Sequence, residues 1–343
     1  MTLAYKVTAG SYVATNQIKD NDRLLLSLTT ELGMDGLGGF CQFELSGANF
    51  KPLAIGESVK VELNTGQGMH TVFTGQVTDM EISAGTQKIL ALDAISRLAS
   101  KQLAIVYEKV KLHFIIKDLI SQADLECGEI CQGAEVQSYL IHPHQPLLSH
   151  LTKLAECCGA DLYCKGDGKI YVTTPTQRGT EHHFEFGRQI RALQVIEQRL
   201  PFDSIELWGE GAGGTQGAEK AHWLSADISS ISSKVSLDQQ GNVRSGSLGK
   251  QVRRVYDGAL RTQEAVEQSA LARMTWLASR RIGGKISVHG TASVMPADLV
   301  VLDKIPKDHS VTPLLKENNH PLRVRCVRHE LSRQTGLVTH LTC

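Results

Sequence analysis

The residue types in this 343-residue chain that could do chemistry are a cysteine group, a scatter of histidines and one glycine-rich turn. Cys127-x3-Cys131 and Cys157-Cys158-x5-Cys164 offer enough thiolates for zinc or an iron–sulfur centre. None of these spacings has the two intervening residues usual for paired metal ligands, so the group reads as reduced, mostly buried thiols. Eight irregularly placed cysteines also make no disulfide framework. His142-x-His144 precedes a helical pattern and His150 falls inside it, without an H-E-x-x-H motif or a carboxylate at ligand spacing. His182-His183 reads as an isolated pair in a polar linker. Gly209, Gly211 and Gly214 satisfy G-x-G-x-x-G, but a polar, Ser-rich stretch follows where a nucleotide-binding turn must open a helix. Without a nucleophile–base–orienter set, a reasoned carboxylate pair or a phosphate cradle in context, the expectation is no enzyme, no cofactor and no metal.

The elements that carry these residues are mainly strands. Gly56 to Ala94 reads as antiparallel strands: Val59, Val61 and Leu63 alternate with polar residues, followed by Val72 to Val77 and Ile89 to Leu92, with Gly-containing turns between them. Leu24 to Leu28 and the alternating Phe40 to Leu45 precede this unit, and the turn Ile95 to Leu98 closes it. Residues 1–103 are therefore expected to form a small barrel or sandwich of about six strands. From about Ala104 the period becomes helical, giving helices from about Lys111 to Leu125 and from Pro146 to Cys158, with Gly159 as the stop. Asp161 to Cys164 and Lys169 to Thr173 flank Gly166-Asp167-Gly168 as a hairpin, so residues 104–178 form an α+β middle domain.

Residues 179–343 open with strands at Ile190 to Glu197 and Asp203 to Trp208. Ser225 to Gly249 reads as exposed loop. A long helix follows from the N-cap Thr262 to about Arg281, ending at Gly283-Gly284. The chain closes on a weaker copy of the first β-unit. Ala297 to Leu302 stands in for its first strand, and Val327 to Ser332 matches Val77 to Ser83 after deletion of one residue. The copy implies a second barrel, with the loop and helix at about 215–284 inserted into it.

Composition sets the outer bounds. The 36 basic residues offset 36 acidic ones, which leaves no overall polycationic character to hold nucleic acid or an anionic membrane. No apolar stretch approaches the roughly 18 residues of a spanning helix, and the N-terminus has no cleavage-site pattern. The expectation is a soluble protein made in a cytoplasm.

Several motifs together resemble the baseplate-hub family of contractile phage tails, which includes the late control D proteins and the N-terminal part of type VI secretion spike proteins. They are Gly56-Glu-Ser-Val59-Lys-Val, Phe73-x-Gly75-x-Val77 with Glu81, Leu151-x-x-Leu154-Ala-Glu-x-x-Gly159, Pro296-x-Asp298-x-Val300, and Val327-x-His329-Glu330-Leu331-Ser332. The resemblance covers nearly the whole chain, in order. It implies a homotrimer in which each subunit contributes two tail-tube-like barrels. Three subunits then make a pseudo-sixfold ring around a channel, between a sixfold tube or tape-measure protein above and a threefold spike below. It also implies a place in the baseplate of a virion tail, assembled from protein made in the bacterial host. The sequence ends at Cys343, without the needle of secretion spikes, so the expectation is a separate hub that binds a separate spike. Two rivals remain: the hub portion of a type VI spike, and a small non-phage binding protein with an aromatic-lined groove. With aromatics at only 5% of residues, the latter is disfavoured.

Overall fold

A computed structural model describes residues 3–16, 24–36, 38–46, 53–210, 231–238, 240–318 and 321–343. It is mainly β, with 48% strand and 16% helix. The first part holds β1 (Ala4–Ala9), β2 (Tyr12–Thr15), β3 (Leu24–Gly33), β4 (Phe40–Ser46), β5 (Ser58–Asn64), β6 (Met69–Ser83), β7 (Thr86–Leu92) and helix α1 (Ala94–Ser100). These strands form because one face is apolar. In β4, Cys41, Phe43 and Leu45 are buried while the alternating Phe40, Gln42, Glu44 and Ser46 are only partly covered. The same alternation buries Val59, Val61 and Leu63 in β5 and Gln87, Ile89 and Ala91 in β7.

The middle part holds β8 (Ile105–Lys111), α2 (Leu112–Gln122), β9 (Cys127–Ile130), β10 (Glu135–Ile141), α3 (Leu147–Cys157), β11 (Asp161–Cys164) and β12 (Ile170–Thr173). Both helices and the β11–β12 hairpin lie where the periodicity puts them. Strands β8, β9 and β10 are additional to that reading.

The last part holds β13 (Glu181–Glu185), β14 (Ile190–Glu197), β15 (Ser204–Trp208), β16 (Ser232–Leu237), β17 (Val243–Ser245), β18 (Val252–Tyr256), α4 (Gln263–Ala278), β19 (Ile282–His289), β20 (Leu299–Asp303), α5 (Thr312–Asn318), β21 (Leu322–Arg323), β22 (Cys326–Ser332) and β23 (Gly336–Thr342). Two expectations are corrected here. The described part of the Ser-rich stretch contains β16 and β17, in which Ser233, Val235 and Ser236 are buried against β15 and β17. Gly283-Gly284 does not stop α4, which ends at Ala278; both glycines lie inside β19, where a Cβ would meet the backbone of Cys343 and Gln194.

The two barrels expected from the sequence are, in backbone pairing, one sheet. Its eleven strands run β14-β19-β23-β22-β3-β4-β7-β6-β5-β1-β2. The join is the antiparallel pair β22–β3, with seven cross-strand pairs from Cys326↔Gly33 to Ser332↔Ser27. Neither half closes on itself by strand pairing among the described residues, although β2 returns to lie against β3. The expected counterpart of β5 also departs from the repeat: β20 sits in a separate sheet, β13-β20-β21, parallel to β13.

Three large apolar cores, and a small fourth around Met34, Tyr163 and Ala297, lie behind this arrangement among the described residues. One fills the first half of the sheet around Phe43, Val61, Phe73 and Ile89. A second lies under the other half around Val288, Val300, Val324 and Leu341. The third is shared: the helices α2 and α3 of the middle part pack with α4 and the β17-β16-β15-β18 sheet through Leu119, Leu151, Leu207, Val266 and Met274. Residues far apart in sequence therefore bury one continuous apolar volume.

Candidate functional site

Among the described residues no group of three or more His, Cys, Asp or Glu is placed to hold an ion. The surroundings favour the neutral thiol at four of the five cysteine positions. Burial pushes Cys157 up to about 12 and raises Cys164 and Cys127. Cys158, hydrogen-bonded to Cys131 and buried, is also held high, and Cys131 alone of the group is held down, by that bond. Cys157 instead packs polar contacts into the shared core: its Sγ donates to Asp257 Oδ2 at 3.2 Å and accepts from Arg273 Nη2 at 3.1 Å.

The histidines have structural partners. The His142 amide donates to His150 Nε2 at 3.2 Å, and burial lowers the pKa of His150. His182 and His183 are strand residues of β13, not linker: His182 Nε2 lies 2.9 Å from Asp298 Oδ2, and His183 stands between Glu181 and Asp303. Of the glycine motif, Gly209 directly follows β15, and Gly211 and Gly214 fall outside the described residues.

The motif positions serve the fold in separate places. Val59, Phe73, Val77 and Val300 are core residues. Gly56 makes the turn into β5 with φ +89°, and a Cβ on Gly75 would lie 2.3 Å from the Leu92 carbonyl oxygen. Gly159 ends α3 with φ +59°, its α-carbon pressed against the backbone of Ala272 in α4. Buried Pro296 and Asp298 form the turn into β20, where Asp298 accepts from the Thr180 and Met295 amides. Glu81 is exposed on β6, Glu330 pairs with Arg328 at 2.7 Å, and Ser332 accepts from the Thr335 amide.

A charged cluster that the sequence reading missed ties the parts together. Asp161, at the start of β11, is buried and accepts from Arg323 Nη1 at 2.6 Å, Arg325 Nη2 at 2.9 Å, Arg280 Nη2 at 3.2 Å and the Trp276 indole at 2.9 Å. Asp35, two residues beyond β3, takes Arg325 Nε and Nη2, both at 2.7 Å. Burial alone would raise the pKa of Asp161, but the Arg325 and Arg323 guanidiniums outweigh it and bring the carboxyl to about 2. One side chain thus links β11, α4 and the β21–β22 segment. The only local signal was Arg323-x-Arg325, two cations on one side of an extended segment.

Concave surface is of mixed character. A groove of about 870 Å³ lies between α4, β19 and β21, lined by Arg178, Gln240, Thr275, Arg281 and Arg323 among others. Arg281 is held by Glu197 and Arg323 by Asp161, so two of its three guanidiniums are already paired. Among the described residues no aromatic lines it. A shallower depression on the open face of the sheet is lined by Ser27, Gln42, Glu44, Glu81, Ser83, Thr86 and Lys88. Farther along the same sheet, Arg328 lies 2.7 Å from Glu330 and 3.8 Å from Glu31 across the β22–β3 join. The sheet therefore has an apolar face on the cores and a face of mixed charge toward solvent.

The fold has clear counterparts among solved structures. No protein-family model matches the chain, and no curated protein matches it in sequence. A 43 kDa tail protein of prophage MuSo2 from Shewanella oneidensis is similar over 99% of this chain and 97% of its own, with a TM-score of 0.66 and 14% identity. A tail protein from Neisseria meningitidis MC58 is similar over 100% of this chain and 96% of its own, with a TM-score of 0.63 and 14% identity. An E. coli component of the type VI secretion system, described as structurally similar to tail proteins of bacteriophage T4, aligns over 98% of this chain and 76% of its own, with a TM-score of 0.56 and 8% identity. Over essentially its whole length, this chain has the fold of phage tail proteins.

Proposed function

We propose that the chain is a structural hub protein of a contractile phage tail, assembled as a homotrimer that joins the tail tube to the central spike and lines the channel between them. The observation that carries this reading is an internal repeat in the large sheet. In the first half the neighbours run β6-β7-β4-β3, and in the second β22-β23-β19-β14, antiparallel throughout. The one residue deleted to align Val77–Ser83 with Val327–Ser332 corresponds to Thr78, which lies at the bulge where β6 slips against β7 between Val77 and Asp79. Two copies in each of three chains give six similar positions, which suits a part between sixfold and threefold neighbours.

In this reading each half of the sheet is a tube-like unit, and its mixed-charge face, with Glu44, Glu81, Lys88, Arg328 and Glu330, faces the lumen. The protein acts by shape and contact rather than by chemistry, in the baseplate of a virion tail. Its partners are a spike below and a tube or tape-measure protein above. The likeness to a type VI secretion component supports the second reading, a hub in a secretion spike, which uses the same geometry. A small binding protein is the weaker alternative: the cleft beside α4 that Phe202 and Trp276 line has a volume of about 10 Å³, room for no more than a water, and the larger groove has no aromatic among its described lining residues.

The test is the absolute mass in solution, by light scattering after size exclusion at several concentrations, alone and with a candidate spike. A mass of three chains is expected. A monomer under all these conditions overturns the hub reading.

A further inference from the structure

The large sheet contains one join between its two repeats and leaves open the two edges that would make the same join again. In the second repeat the outer edge of β22 is occupied by β3 of the first, over seven residue pairs. In the first repeat the matching edge is the outer edge of β6 beyond Val77. Strand β5 leaves β6 at Ser58↔Gln76, and the Gly56–Glu57 turn bonds only Val77. From Asp79 to Ser83, β6 pairs with β7 and with no other described strand. At the far end of the sheet β14, the counterpart of β3, pairs with β19 alone among the described strands, and helix α5 touches it through the core that Leu315 shares with Ile190 and Leu193.

Pairing carries the register from the closed join to the open edges. Ser83 matches Ser332 at the hairpin ends, so Met80 matches His329 and Ile82 matches Leu331. On the other side, Thr30 reaches Ala91 through Cys41, as Leu193 reaches Leu341 through Ile286, and Leu28 reaches Ile89 through Phe43, as Ile190 reaches Thr339 through Val288. The closed join pairs His329↔Thr30 and Leu331↔Leu28. Transferred, it pairs Met80 with Leu193 and Ile82 with Ile190.

We propose that β14 of one copy adds antiparallel to Asp79–Ser83 of β6 in the next copy, with Met80 opposite Leu193 and Ile82 opposite Ile190. This rests on the trimeric hub reading and names the strands and register of its subunit contact. The chemistry fits a second copy. All four side chains at these pairs are apolar, and Ile82 is 53% exposed in the single chain, an exposure that a neighbouring strand would remove. Backbone direction fits as well. The Gln198 amide donates inward to Arg281 O, so by strand alternation Leu193 and Val195 turn their backbone groups outward. The Met80 amide, on the β6 side, donates to its neighbour Asp79 Oδ1 at 2.7 Å. Arg191, the extra residue at the bulge of β14, falls beside Glu81. Each copy offers one edge of each kind, so the contact is head-to-tail and ends only when a ring closes.

The test pairs Met80→Cys with Leu193→Cys in one chain and applies mild oxidation, with Ile82→Cys plus Leu193→Cys as the out-of-register control. Bonds between chains are expected from the first pair, at several-fold higher yield than from the control or either single variant. Ile82→Lys is expected to leave the melting temperature of the monomer unchanged and to weaken self-association by at least roughly tenfold. A three-chain mass without cross-linking of the first pair, or with stronger cross-linking of the control, overturns the register and leaves the hub reading standing. A monomer at every concentration, with and without a spike, overturns both.

Discussion

His329 of β22 lies directly opposite Thr30 of β3, on the join between the C-terminal and N-terminal halves of the sheet. Both are buried, and His329 Nδ1 lies 3.0 Å from the Thr339 hydroxyl. A histidine in this position holds two halves together only while it is neutral. Burial, with a smaller contribution from nearby His340, lowers its pKa to about 4.

That shift sets a pH dependence. The folded state takes a proton near pH 4, whereas the unfolded chain takes one near its ordinary value of about 6.5. The stability contributed by neutral His329 is therefore complete above about 6.5 and lost as the pH falls toward 4, a loss of about 3 kcal/mol. Urea unfolding at about pH 7, 5.5 and 4.5 measures it. The variant His329→Gln is expected to lose less stability over this range than the parent. Equal slopes would show that this residue does not govern the acid limb.

Asp161 makes the largest demand on a single side chain. Asp161→Asn leaves Arg323 and Arg325 without the carboxylate that compensates their burial, and is expected to cost about 3–5 kcal/mol. Asp35, about half exposed, shares Arg325 but is wetted by solvent, and Asp35→Asn is expected to cost about 1 kcal/mol or less. Denaturant midpoints of the two variants test this order, and the reverse ranking would contradict it.

Gly159 is constrained twice. Its φ of +59° disfavours a side chain, and a Cβ there would lie 2.2 Å from the Ala272 carbonyl oxygen. Gly159→Ala is expected to cost about 3 kcal/mol or more, because α3 and α4 must separate. Gly336→Ala, with φ +67° and open space around it, should cost only about 1 kcal/mol. Similar thermal shifts for the two would remove the role given to the close approach of α3 and α4.

Thr262 caps α4 in the position its sequence suggests, its Oγ1 accepting from the Ala265 amide at 3.2 Å. Thr262→Ala is expected to lower stability by about 1 kcal/mol, and Thr262→Ser or Asp to restore most of it. Chemical unfolding of the three variants is the check.

Features set by local periodicity were legible in the sequence. Helices α2 and α3 follow from apolar residues at helical spacing, the β11–β12 hairpin from Gly166-Asp167-Gly168, and β14 from the segment Ile190 to Glu197, in which Ile190, Leu193, Val195 and Ile196 stand among polar residues. The fused sheet was not legible, because β22 and β3 pair across most of the chain and no local pattern records a distant partner. Strand β16 escaped notice because serines occupy positions where apolar residues would mark the alternation. The Asp161 cluster was hidden for the same reason as the join: its arginines come from segments more than a hundred residues away. At the motif positions the residue types were readable, but their places on turns, cores and strand edges depend on contacts between distant parts.

The β22–β3 join also has a consequence for synthesis. Strand β3 ends at Gly33 and its partner begins at Cys326, so a ribosome adding roughly 5–20 residues per second completes β3 roughly 15–60 s before it makes β22. During that interval the nascent chain carries an uncovered edge on an otherwise assembled half-sheet. Neighbouring chains on one polyribosome would hold such edges close together, at the stage when β22 cannot yet occupy them. A strand translated late thus protects one translated early, and a message cut short before Cys326 would release a product ready to pair with its own kind.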